Sequence, residues 1–199
     1  MFGCCIVATV GAMEYSNADL GRGTRVAELS VAAELSVVSL NGTVMHEQFA
    51  RNTVVILFAP WCEYSAYAAS YIVPSLILHV QAAGGDALMV DVSRTGGLAR
   101  AGPLGMPDSG IRGEPQASIS NRVDSLRAFS SAYLPGVPLY YQDDDIIRQR
   151  FPLYDSGVLP TFIFIRAGGR VVTRAEGVSA SAALAKTFDE LLDDRRVAD

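Results

Sequence analysis

The chain has 199 residues, half of them hydrophobic and under a fifth charged, which suits one ordered domain with a sizeable core. Its net charge is -5 and its lysines and arginines are scattered along the chain, which excludes a nucleic-acid surface built on clustered cations. Three cysteines are too few for a disulfide scaffold, and the two histidines, His46 and His79, stand outside any short Cys/His spacing, so no metal or other cofactor is expected.

Phe2 to Met13 (FGCCIVATVGAM) is a run of apolar and small residues, followed by a polar stretch to Arg25. The run suits the apolar part of a secretory signal and is short for a bilayer span. No Lys or Arg precedes it, so three readings stand: an export or membrane-anchoring remnant, which we favour, a truncated start, or a disordered arm. Residues 1–25 are set apart as this leader and 26–199 as the domain. Cys4 and Cys5 fall in the leader, where a cysteine can also carry a lipid. No other stretch is apolar enough to span a membrane.

Two β-prone runs from Glu34 to His46 flank Asn41-Gly42, a two-residue hairpin signal in which both positions take positive φ. His46 to Ala50 suits a helical turn. Thr53 to Ala59 (TVVILFA) is a continuous apolar run rich in β-branched residues, and it reads as a central strand covered on both faces. Cys62 opens an Ala-rich helix to about Ala83, patterned by Tyr67, Tyr71, Ile72, Leu76 and Leu78. Pro74 should kink it, and Gly84-Gly85 ends it. Ala87 to Val92 is the next strand.

Ser93 to Ser120 carries six glycines and three prolines and has no aliphatic pattern, so it reads as a flexible insertion. A helix follows, with Asn121 as its N-cap and Val123, Leu126, Phe129 and Tyr133 facing the core. Then come a strand at Val137 to Tyr141 and a short helix at Asp143 to Phe151, whose leading aspartates suit the positive helix end. Strands at Pro160 to Arg166 and Arg170 to Arg174 join through Ala167 to Gly169. A closing amphipathic helix runs from Ser179 to about Arg195, with Leu184, Phe188, Leu191 and Leu192 inward and Arg195-Arg196 at its end. Alternating strands and helices that finish on a hairpin and a helix predict an α/β fold, a mixed sheet covered on both faces.

Two motifs in this order resemble the thioredoxin-like superfamily. VVILFAPWCEYS (Val54 to Ser65) is similar to its active-site entry, and Val158-Leu159-Pro160-Thr161 to its second signature, in which the proline is cis. LSVVSLNGTVMHEQF and VPLYYQDDDIIRQRFPLYDSGVLPTFIFIRAGGRVV narrow the likeness to the exported TlpA/ResA-like thiol-disulfide oxidoreductases of the AhpC/TSA type. It covers roughly Glu34 to Leu192. The sequence departs from that pattern twice: Ser65 replaces the second cysteine of Cys-x-x-Cys, and Ile56 replaces a polar residue six positions before the first. The peroxiredoxin pattern also fails, because Ala59 stands three residues before Cys62.

The resemblance implies chemistry at Cys62. A thiolate is the nucleophile, and the unpaired N–H groups of a first helical turn favour the anion. Ser65 is expected to donate its hydroxyl to the sulfur. Trp61 would shield one side, and Leu159, ahead of a cis Pro160, would offer its backbone as a strand edge to an extended peptide. Glu63 and Tyr64 are exposed residues that tune the site or do nothing. The plain alternative for Cys62 is a small buried hydrophobe. With one cysteine, a mixed disulfide must be resolved by an outside thiol, from the substrate protein or a small molecule. The rival readings are a redox-inactive peptide-binding module, and a dithiol oxidoreductase resolved by Cys4, Cys5 or a partner.

Overall fold

The computed structural model describes residues 34–93, 119–151, 154 and 158–192, and of 119–121 the backbone only. Cys4, Cys5, Arg195, Arg196 and nearly all of the Gly/Pro-rich insertion lie outside the described residues. Strands β1 (Leu35–Ser39) and β2 (Val44–Glu47) form the first hairpin. Its turn is not the two-residue type expected. Gly42 N–H donates to Ser39 O at 2.9 Å, Ser39 N–H donates to Thr43 O at 2.9 Å, and only Gly42 takes positive φ (85°). Asn41 uses its side chain instead, accepting from Thr43 N–H at 3.1 Å, which holds the longer loop with a bulge at glycine. The helical turn expected at His46 to Ala50 is also absent: β2 runs through His46, and Phe49 is buried with φ of 50°.

Strand β3 (Thr53–Phe58) is buried along its whole length, as an uninterrupted apolar run requires. The following helical segment is two helices, α1 (Glu63–Tyr71) and α2 (Val73–Ala82), broken at Ile72. Pro74, without an N–H for the Ser70 carbonyl, sits in the first turn of α2, where that donor is not needed. Ala68, Ala69, Ile72 and Leu76 face the core, whereas Tyr67, Tyr71 and Leu78 face solvent. Strand β4 (Asp86–Asp91) follows.

Helix α3 (Ile119–Tyr133) starts before Asn121, which therefore lies inside the helix and does not cap it. Its Leu126 and Phe129 are buried, and Tyr133 is exposed. Strand β5 is shortened to Leu139–Tyr141, because Pro138 has no N–H to give a sheet. Helix α4 (Asp144–Arg150) starts at an Asp143 cap position, and β6 (Thr161–Arg166), β7 (Arg170–Glu176) and α5 (Ser181–Leu192) complete the chain. Leu184, Phe188 and Leu191 of α5 point inward, while Leu192 is exposed.

The strands form one mixed sheet in the order β2-β1-β5-β4-β3-β6-β7. β3, β4 and β5 are parallel, and β1, β6 and β7 run antiparallel to their neighbours. Val54, Ile56 and Phe58 pack with α1, α2, α3 and α5 on one face; Val55 and Leu57 pack with Phe49, Ile147 of α4 and Phe151 on the other. Each fully buried side chain of this kind contributes about 1.5–3 kcal/mol.

Gly85, just before β4, lies close against Phe188 of α5 and the backbone of Asn52. A Cβ there would meet the ring of Phe188 and, at 2.7 Å, the backbone oxygen of Asn52, which cannot swing aside. Gly85→Ala should therefore destabilise the fold by about 1–3 kcal/mol. Urea denaturation would show this as a lower midpoint at unchanged slope.

Candidate active site

The register of the sheet brings the two motifs together. β6 runs antiparallel to β3, and Leu57 pairs with Thr161, so the residues just before β6 lie beside those just after β3. Cys62 and Leu159, 97 residues apart, meet there: the sulfur donates to the Leu159 carbonyl at 3.7 Å. The Leu159–Pro160 bond is cis. That loop is held on both sides, since Thr161 Oγ1 donates to Val158 O at 2.7 Å and Gly177 N–H donates to Pro160 O at 2.8 Å.

Cys62 N–H donates to Ala59 O at 3.0 Å, which turns the chain out of β3. Cys62 is not in the first turn but at the N-cap, with extended φ and ψ (-89°, 117°), and its sulfur makes no capping bond to the helix. Its carbonyl accepts from Ala66 N–H at 3.0 Å and so begins α1. The residue is only 2% exposed, so the thiol is covered in this conformation.

Ser65 is also buried, at the third position of α1. Its hydroxyl does not bond the sulfur, as the sequence suggested. It accepts instead from Ala59 N–H at 3.4 Å, tying the first turn back to the end of β3. As an acceptor, the hydroxyl keeps its own hydrogen to give. Trp61 is half-buried, and its indole makes no hydrogen bond or ring contact among the described residues. Leu159 is half-buried and Pro160 buried, while Glu63 and Tyr64 are exposed. Ile56 lies wholly inside the apolar core.

A buried charge cluster at this end of the sheet escaped the sequence reading. Asp91, fully buried at the end of β4, accepts from Arg122 Nε at 2.6 Å. Arg122 Nη2 donates to the carbonyls of Asp91 (2.9 Å) and Gln142 (3.0 Å), and Nη1 donates to Asp143 Oδ1 at 3.0 Å. Its guanidinium lies 4.9 Å from the centre of the Tyr141 ring. Ser93 donates to the other Asp91 oxygen from both its backbone N–H and its hydroxyl. One arginine thus ties α3 to the ends of β4 and β5 and the start of α4. The available signal was a lone carboxylate closing an apolar strand.

Both histidines are at the surface: His46 pairs with Glu34 at 2.5 Å, and His79 of α2 pairs with Asp189 of α5 at 2.7 Å. Among the described residues no group of three or more His, Cys, Asp or Glu could hold a metal ion, and no helix is long and apolar enough to cross a membrane.

No protein-family model and no curated protein matches the sequence. Solved structures do match the fold. A thiol:disulfide interchange protein of the thioredoxin family from Chlorobium tepidum superposes with a TM-score of 0.56 at 16% identity, covering 84% of this chain and 99% of that one. The exposed lipoprotein thioredoxin of Streptococcus pneumoniae gives 0.53 at 17% identity, over 79% and 99% of the two chains. A secreted disulfide oxidoreductase of Mycobacterium tuberculosis gives 0.50 at 18% identity, over 80% and 97%. The fold is thioredoxin-like. The hairpin of β1 and β2 precedes β3, and the Gly/Pro-rich insertion falls between β4 and α3 of this thioredoxin-like domain.

Proposed function

We propose that this thioredoxin-like domain exchanges disulfides with protein thiols through a single cysteine. The observation that carries the reading is the 3.7 Å approach of Cys62 Sγ to the Leu159 carbonyl, at the meeting of helix start and loop edge. A thiolate at Cys62 attacks one sulfur of a substrate disulfide; the new bond joins Cys62 to that sulfur, and the other leaves as a thiolate that takes up a proton. Ser65 offers no second sulfur. A second thiol of the substrate, or a small-molecule thiol, then attacks the mixed disulfide and returns Cys62 to its starting state. No net oxidant is consumed when the substrate's own thiol resolves it, and the outcome is isomerisation. An extended substrate segment would lie along Leu159 and against Trp61.

The burial of Cys62 favours a second reading, a redox-inactive module that binds extended peptides beside Pro160. Exchange requires a step that uncovers the sulfur; peptide binding does not. The apolar run at Phe2 to Met13 supports residues 1–25 as a leader or membrane anchor, residues 26–199 as the working domain, and a site of action in the cell envelope or outside it.

Incubation with disulfide-bearing proteins should give adducts that a reductant releases, and Cys62→Ser should give none at this position when the adducts are mapped by mass spectrometry. Equal, reductant-insensitive binding by both proteins would establish the peptide-binding module instead.

A further inference from the structure

We infer that Tyr64, Tyr67 and Tyr71 form a docking ladder on α1 for the polypeptide that carries the target disulfide, and that its docking segment is apolar and basic. This rests on the exchange reading of Cys62. Spacings of three and four place the three rings on one helix face, and the ladder begins two residues from the sulfur. The residues are exposed, by 40%, 50% and 72% in that order, and the rings of Tyr67 and Tyr71 meet at a tilt with centroids 5.0 Å apart. Apart from Glu63, the rest of α1 is Ala and Ser, and its buried residues are Ser65, Ala68 and Ala69. None of the three tyrosines belongs to the buried clusters of the core. Tyrosine gives a partner a large, stiff contact surface with a polar tip.

From Tyr64 to Tyr71 the ladder is about 10 Å long, the span of roughly three extended residues. Charge chooses between occupants. Glu63 is the only charged residue of α1, and no Lys or Arg occurs from Asn52 to Ser93 or from Val158 to Ile165. A small acidic thiol finds no cation on these segments to hold its carboxylates. A lysine or arginine of a polypeptide meets Glu63 and the open ring faces.

The test uses two cysteine peptides activated as thiopyridyl disulfides, one with an apolar, basic flank and one with an acidic flank. The natural protein should form its Cys62 adduct with the first at least about tenfold faster than with the second, and Tyr67→Ser/Tyr71→Ser should abolish that preference. Alkylation of Cys62 by iodoacetamide should stay the same in both proteins, showing that the site itself is intact. A preference kept by the variant overturns the ladder while leaving exchange in place. So does a variant that changes only self-association in sedimentation, or only binding to lipid vesicles. Capture of neither peptide by the natural protein overturns the exchange reading and the ladder with it.

Discussion

Replacing Arg122 with Met should destabilise the domain by about 3–5 kcal/mol, the range for breaking a buried ion pair from one side. Asp91 is fully buried and paired at 2.6 Å, so the variant leaves a carboxylate with no cation in the interior. The carbonyls of Asp91 and Gln142 lose their Arg122 donors in the same step. Methionine keeps most of the side-chain length, so the loss reads the charge and hydrogen bonds more than the packing. Combining Arg122→Met with Asp91→Asn should recover part of it, because the stranded charge is gone. Chemical denaturation measures both. A single-variant loss below about 1 kcal/mol, the level of a surface pair, would show that the cluster is not what holds α3. The effect should reach the site, because Asp91 pairs with Phe58 at the last step of β3, and Phe58 packs against Phe129 of α3 with ring centroids 5.0 Å apart.

Much of this was legible because local pattern and global position agree. An apolar run such as TVVILF has few places to go except the middle of a covered sheet, and that is where β3 lies. Leu184, Phe188 and Leu191 were readable at helical spacing because a closing helix has one wet face. The misses share a cause, which is that the period and the type of a residue do not say which partner its side chain or its face will meet. Asn41 could have adopted positive φ, but Ser39 and Thr43 gave its side chain work in a longer loop. Tyr67 and Tyr71 fit a helical period as well as Ile72 does, and period alone does not say which stripe faces the sheet. Arg122 stood beside the expected cap Asn121, and nothing within ten residues points to Asp91, whose pairing depends on the crossover from β4 to α3. At the site, the meeting of Cys62 with Leu159 followed from family pattern, whereas the bond between Ser65 and Ala59 depends on the close return of α1 onto β3.

Ser65→Cys should convert the site from one that waits for an outside thiol into one that resolves its own adduct. Cys62 occupies the N-cap of α1 and Ser65 the third helical position, three residues on. Cα atoms at that helical spacing lie about 5 Å apart, inside the Cα separation of about 4.4–6.8 Å over which two cysteines can be bridged. The replaced hydroxyl contributes only a long 3.4 Å bond to Ala59 N–H, so the backbone has little to lose from a sulfur in its place. In the variant, Cys62 attacks the substrate disulfide as before; the introduced thiol then displaces the substrate thiolate and closes a bridge that an added reductant reopens. Two readouts separate structure from turnover. Mild oxidation should remove the free thiols of the pair without making a dimer, and insulin reduction driven by dithiothreitol should rise well above the rate of the natural protein. A bridge that forms without that gain would point to Ile56, whose apolar side chain lies in the core six residues before Cys62 and offers no proton acceptor there. Failure of the bridge to form would count against the exchange geometry itself, since Cys62 could then not meet a partner sulfur even one helical turn away.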